Sequence, residues 1–331
     1  MTIRCTTALA ALALFSAPAL AQIKPAVTFD VGGKFDKSFN EASYNGAEAF
    51  RKKSGIAYRE FEIQNDAQRE QAFRRFARDG QDPIVATGFS NGAALKKVAE
   101  EFPKTRFTII DFVIDLPNVQ SIVFKEHEGS YLVGLLAAKA SKTGKVGFVG
   151  GMDIPLIRKF ACGYVQGVKA GNPKAEVFQN MTGTTGAAFN DPVKGGELAR
   201  SQMDRGADVV YHAAGGTGVG VLRAVADAGK LGIGVDSNQN GLHPGKVLTS
   251  MLKRVEVAVE GTLTAAHSGA WKPGVTVLGL AEGGVAWALD DHNKGLITDE
   301  MKTVAAKAEA DIKSGAVKVH DYMADQKCPV Q

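Results

Sequence analysis

The chain is poor in the residues that most often carry chemistry. Its 331 residues hold 3 cysteines, 2 tryptophans and 6 histidines. The histidines are scattered and form no HxxxH pair, so no zinc-site spacing is present. No Gly-Lys-Ser/Thr ending follows any glycine-rich turn, which removes the phosphate-cradling loop of nucleotide hydrolases. An excess of one charge sign is missing too: the net charge is +4, spread along the chain. The doublets Lys52-Lys53 and Lys96-Lys97 read as solvated helix faces and make no case for nucleic acid. Beyond Ala21 no apolar run is long enough to cross a bilayer.

What is there starts at the N-terminus. Arg4, the apolar run Ala8–Phe15 and the small-x-small site Ala19-Leu20-Ala21 have the layout of a secretory signal peptide over residues 1–21. Cys5 precedes the apolar run, so it does not fit a lipoprotein cleavage box. The expected mature protein begins near Gln22 as a soluble export, periplasmic in a bacterium with two membranes. Cys162 and Cys328 then remain. They are either idle thiols or a disulfide, and an even count in an exported chain favours the bond. Apolar residues at 45% and charged residues at 22% are the balance of an ordinary globular chain.

From Lys24 onward, short apolar runs alternate with amphipathic stretches. Strands are expected at Ala26–Phe29, Ala57–Glu62, Pro83–Thr87, Arg106–Ile110 and Val119–Phe124, with helices at Phe39–Ser54, Ala67–Asp79 and Gly92–Phe102 between them. The pattern then restarts with a helix at Gly129–Ala140 and strands at Lys145–Val149, Ala175–Asn180, Val209–Ala213 and Leu231–Val235. Helices at Pro155–Gly171, Pro192–Asp204 and Gly218–Ala228 alternate with them, and Asp191 caps the second of these. This alternation predicts an α/β fold of two parallel-sheet lobes. Ligands of such sheets bind beyond the carboxyl ends of the strands, where Asp30, Asp111 and Asp236 fall. Each is a turn residue, a hydrogen-bond acceptor for a ligand or an acid/base group. Phe39 and Phe189 each stand at a helix entrance, as a hydrophobic staple or as a plate for a flat ring.

Taken in order, these residues resemble the basic-membrane-protein family of periplasmic substrate-binding proteins. The resemblance covers residues 24–320. It rests on Asp30-Val31-Gly32, Asp36-Lys37-Ser38-Phe39-Asn40, Phe107-Thr108-Ile109-Ile110-Asp111 and Glu128-Gly129-Ser130-Tyr131, then Asn190-Asp191-Pro192, Gly234-Val235-Asp236-Ser237-Asn238-Gln239 and Ser250-Met251-Leu252-Lys253-Arg254.

That resemblance implies a type I periplasmic-binding fold: lobe 1 from residues 22–124 plus 250–272, and lobe 2 from residues 125–249 plus 273–331. Its crossovers fall near Lys125, Thr249 and Trp271–Val275. It implies a non-enzymatic, monomeric receptor that carries a purine nucleoside to an ABC importer without a cofactor; a carboxylate at the base edge accepts only, which favours guanosine and inosine, with their N1–H, over adenosine. A free purine base or a flavin-like heterocycle is the alternative ligand, and a nucleoside-processing enzyme the alternative class. The implied site stacks the base between Phe39 and Phe189 and reads its edge with Asp236. Asp30 and Asp111 take the ribose hydroxyls, with Asn40 and Lys253 nearby.

Overall fold

Runs such as Ala26–Phe29 and Phe107–Ile110 are buried at every position and have no polar face to offer water. Strands of that kind are stable only in a parallel sheet covered on both sides. The computed structural model describes residues 23–330, so the expected signal peptide lies outside the described residues. In chain order the first elements are β1 Ala26–Phe29, α1 Phe39–Ser54, β2 Arg59–Glu62, α2 Ala67–Arg78, β3 Ile84–Ala86, α3 Gly92–Glu101, β4 Phe107–Ile110 and β5 Val119–Phe124. Then come α4 Glu126–Ala140, β6 Lys145–Met152, α5 Pro155–Gly171, β7 Glu176–Gly183, α6 Pro192–Asp204, β8 Val209–Ala213, α7 Thr217–Asp227 and β9 Leu231–Asp236. The last are β10 Val247–Lys253, α8 Val255–His267, β11 Gly274–Leu278, β12 Val285–Trp287 and α9 Asp299–Lys313.

These elements form the expected α/β architecture of two sheets. One runs β11-β5-β4-β3-β1-β2 and the other β12-β10-β9-β8-β6-β7. The pairs are parallel except β10 with β12. Asp191 caps α6 as expected, its carboxylate accepting from the N–H of Lys194 at 2.9 Å.

The lobe boundaries differ from those expected. The chain crosses between lobes after Phe124, after Lys253 and after Leu278. Residues 250–253 belong to the second sheet because β10 pairs with β9 through Leu252. Residues 274–278 belong to the first, because β11 pairs with β5 along its whole length. The helix between these crossovers, α8, does return to the first lobe, where Thr262 meets Thr108 and His267 meets the ring of Phe50. α4 starts at Glu126, not at the expected Gly129, and this puts a carboxylate at the first crossover.

Cys162 on α5 and Cys328 in the tail form a disulfide, with their Cα atoms 5.6 Å apart. The amide of Gln166 holds the same tail at the backbone of His320. The staple therefore lies within the second lobe and spans no crossover.

Candidate functional site

The carboxyl ends of both sheets face one enclosed cavity between the lobes. All seven expected site residues line it: Asp30, Phe39, Asn40, Asp111, Phe189, Asp236 and Lys253. Its empty space, open solvent included, is about 580 Å³. A wider groove beside it runs along the crossovers. That groove shares Phe89, Asp111 and Leu156 with the cavity but is walled by Val113, Val277, Val317 and Val319. Charged groups line the groove as well, among them Glu126, Lys159 and Asp321, but the strand-end acids Asp30 and Asp236 line the cavity and not the groove.

Not all of these polar groups are available to a ligand. Asn40 accepts from the N–H of Asp30 at 2.9 Å and donates to the carbonyls of Asp30 and Gly33 at 3.0 and 3.2 Å. Its amide is spent on bracing the β1 loop. Asp30 is already paired: Oδ1 lies 2.6 Å from Nη1 of the buried Arg69 and accepts from the N–H of Val31 at 2.8 Å. Its other side fits against Gly88, where a Cβ would stand 2.5 Å from Oδ2, so glycine alone fits at that left-handed turn (φ 103°).

Asp111 and Asp236 are different. Both adopt left-handed backbone, φ 69° and 61°, a region non-glycine residues seldom enter. Burial pushes each carboxyl up to about 6, against the pull of Lys253. Lys253 is itself fully buried. It lies 2.5 Å from Asp111 and 2.9 Å from Glu126, with its ammonium 5.1 Å above the Phe39 ring. Burial alone would lower its pKa, but Asp111, Glu126 and Asp236 hold it raised. Beyond Glu126 the chain of charges continues to Lys159 at 2.9 Å, and from Lys159 to Asp321 at 3.5 Å. Burial would also lift Glu126, yet Lys253 and Lys159 keep it at about 2. Asp111 Oδ1 is buried with no donor among the described residues. Asp236 Oδ2 accepts from the hydroxyl of Ser38 at 2.5 Å, and that serine belongs to the opposite lobe.

The cavity contains more than the sequence led us to expect. Phe89, Leu156, Ile157 and Phe160 add apolar wall, and Asp36 stands at the entrance of α1. Asp36 accepts from the N–H groups of Ser38, Asn40 and Glu41, although burial pushes it up to about 6. Phe89 meets Phe189 edge to face, with centroids 6.5 Å apart. One signal was in plain view: Arg69 and Lys159 sit among the buried residues of α2 and α5, and an unpaired charge there is untenable. The run Gly88-Phe89-Ser90-Asn91-Gly92 also has the G-x-S-x-G spacing of a nucleophile elbow, between β3 and α3. No histidine or carboxylate hydrogen-bonds Ser90 among the described residues, so nothing there activates it.

A two-lobed frame with a closed interlobe cavity is the form of a solute receptor, and comparison with known proteins agrees. Residues 23–321 match the Bmp family model, described as ABC transporter substrate-binding protein PnrA-like. The chain belongs to the Bmp family. A Bmp relative in Lactococcus lactis, named ABC transporter nucleoside-binding protein BmpA, is 34% identical over 90% of this chain and 89% of its own. A CD4+ T-cell-stimulating antigen of Listeria monocytogenes is 34% identical over 89% of this chain and 87% of its own. The crystal structure of a solute-binding protein from Aeropyrum pernix superposes with a TM-score of 0.83 at 30% identity, covering 89% of this chain and 92% of that one. The Bmp family is one of transport receptors, not of enzymes. Among the described residues no helix is long and apolar enough to cross a membrane.

Proposed function

We propose that this Bmp protein is a periplasmic receptor that encloses a purine nucleoside and presents it to an ABC importer. The observation that carries the reading is the Asp236 carboxylate. It is buried, its carboxyl is pushed up to about 6, and it keeps one oxygen with no donor among the described residues after Ser38 has used the other. A carboxylate accepts hydrogen bonds only, so it suits a ring that presents N1–H, as guanosine and inosine do. Adenosine presents a bare acceptor there, and two buried acceptors facing each other are costly. Phe39 and Phe189 line the same cavity from opposite lobes, as plates for the base. Asp111 is the acceptor for a ribose hydroxyl, through the oxygen that Lys253 leaves unpaired, while Asp30, held by Arg69 and the Val31 N–H, shapes the loop beside it. The name of the Lactococcus relative supports the ligand class.

Titration calorimetry of ligand-stripped protein with guanosine, inosine, adenosine, guanine and riboflavin tests the reading. Tight, stoichiometric binding of inosine and guanosine with weaker adenosine is expected. Tighter guanine or riboflavin would replace the ligand class, and released base would make the protein an enzyme.

A further inference from the structure

Four hydrogen bonds from three donors cross between the lobes at one place beside the cavity, one of them a longer contact of 3.3 Å from the Ser38 hydroxyl to the Val235 carbonyl. The Ser38 hydroxyl donates to Asp236 Oδ2 at 2.5 Å, the Ser237 hydroxyl to the Ser38 carbonyl at 2.8 Å, and Gln239 Nε2 to the Lys37 carbonyl at 3.0 Å. We propose that Ser38, Ser237 and Gln239 form a closure latch, and that through Ser38 the carboxylate that reads the base also reports whether the lobes are shut. The proposal deepens the receptor reading above and rests on it for the ligand.

Each donor and acceptor is set from within its own lobe. The Ser38 N–H donates to Asp36 Oδ1 at 2.9 Å, and the Ser38 carbonyl also takes the first helical bond of α1, from Ala42. Gln239 is held on three sides. Its Oε1 accepts from the N–H of Val235 at 2.9 Å and pairs with His212 Nε2 at 2.9 Å, while its own N–H donates to Ser250 at 2.9 Å. The Val235 N–H holds Gln239 Oε1 inward, and an amide oxygen only accepts, so the His212 Nε2 donates to it; burial keeps that imidazole neutral, pulled down to about 4. That turns the amide nitrogen outward, to the other lobe. Ser38, Gln239 and His212 are all buried, which makes each cross-lobe partner costly to lose without replacement.

The backbone on both sides of the latch is strained. Lys37 and Asp236 face each other across it, and each has φ 61°. Such conformations persist where the surroundings over-determine them, and here the cross-lobe bonds help to do so. The chemical consequence lies at Asp236. One oxygen takes the hydroxyl of lobe 1 and the other is left for the ligand, and both bonds are strongest when the acid is ionised. A ligand that donates to Asp236 therefore supports the latch. A ligand that presents an acceptor favours the protonated acid and weakens it. Discrimination then appears in how fast the shut protein lets go.

Ser38→Ala and Ser237→Ala, each in the full chain with its disulfide, test this. Spin labels at Lys52→Cys on α1 and Asp227→Cys on α7 report the distance between lobes, and stopped-flow reports release of inosine and adenosine. Ser38→Ala is expected to release inosine about 10- to 100-fold faster, the range for a lost hydrogen bond to a charged group, with a smaller change for adenosine. Both variants should shift the label distances toward the open form. Release within about twofold of wild type, with unchanged distances in both variants, overturns the latch. If the wild type binds no inosine, the nucleoside reading fails. The ligand-free distances still decide the latch: a shift supports it, and identical distributions reject it.

Discussion

The two lobes repeat one strand order, so the ends of β4 and β9 are equivalent positions, and each carries an aspartate. Asp111 and Asp236 share left-handed backbone, burial and a carboxyl pushed up to about 6. They differ in what answers the charge. Asp111 has the Lys253 ammonium at 2.5 Å, while Asp236 meets the Ser38 hydroxyl at 2.5 Å and feels Lys253 only from beyond hydrogen-bond reach. The cation comes from the end of β10, where the matching strand of the first lobe, β5, ends in Phe124. A repeated frame thus places two acids alike, and one unrepeated lysine makes them unequal. The paired acid is a fixed part of the structure. The other is left to respond to a ligand.

Removing the cation breaks the contrast most severely. Lys253→Met keeps the volume among the rings of Phe39, Phe124 and Phe160 but leaves Asp111 buried without its counter-charge. Breaking a buried pair from one side costs about 3–5 kcal/mol. The variant's Asp111 is raised further above its unfolded value, and a raised acid loses stability as pH climbs through its folded pKa. Urea melts should therefore show a larger deficit near pH 7.5 than near pH 5. An equal deficit at both would mean that Lys253 supports packing rather than charge.

Asp236→Asn sharpens the contrast from the other side. Burial raises the native carboxyl from 3.8 to about 6, so its ionised form weakens the fold. Its contribution to stability is present below the unfolded pKa and lost as pH rises through about 6. Asparagine tolerates left-handed backbone and keeps an acceptor for Ser38. The ligand-free variant should be stabilised by about 2–3 kcal/mol near pH 7.5 and by about half as much near pH 5, read by thermal and urea unfolding. Affinity moves the opposite way: inosine and guanosine weaken, and their lead over adenosine shrinks. If calorimetry finds the ranking untouched, Asp236 does not read the base.

The frame was legible because burial on both faces makes strands into apolar runs and one-sided burial makes helices periodic. β1 and α1 have the expected bounds for that reason. β11 was not among the expected strands: its run Val275-Thr276-Val277-Leu278 is largely apolar, but it stands at the edge of the first sheet with Gly274–Val277 exposed. In the site, the residues at strand ends were visible as a class: Asp30, Asp111 and Asp236 all line the cavity. Their inequality was not visible, because it depends on partners far away in sequence. Arg69 reaches Asp30 from α2 and Lys253 reaches Asp111 across 142 residues. Ser38 and Gln239 fall within the motifs of the resemblance, yet a hydroxyl and an amide show nothing of a partner on the other lobe.

The two aromatic plates extend the comparison to apolar groups, with the smallest expected effect. Phe39 of the first lobe lies under the Lys253 ammonium at 5.1 Å, whereas Phe189 of the second meets Phe89 edge on at 6.5 Å. Phe189 also fills the space above β6, where a Cβ on Gly151 would come within 2.4 Å of its ring. Removing either plate should cost about 1–3 kcal/mol of nucleoside binding, the range for base–aromatic stacking, with less loss for tyrosine. Only Phe39→Ala also strips a ring from the buried cation, so only it should lower ligand-free stability through that contact, by about 0.5–2 kcal/mol. Calorimetry and urea melts on both variants separate the two effects. Unchanged affinity in two folded variants would remove both rings from the site, and equal stability losses would show that the cation does not use the Phe39 face.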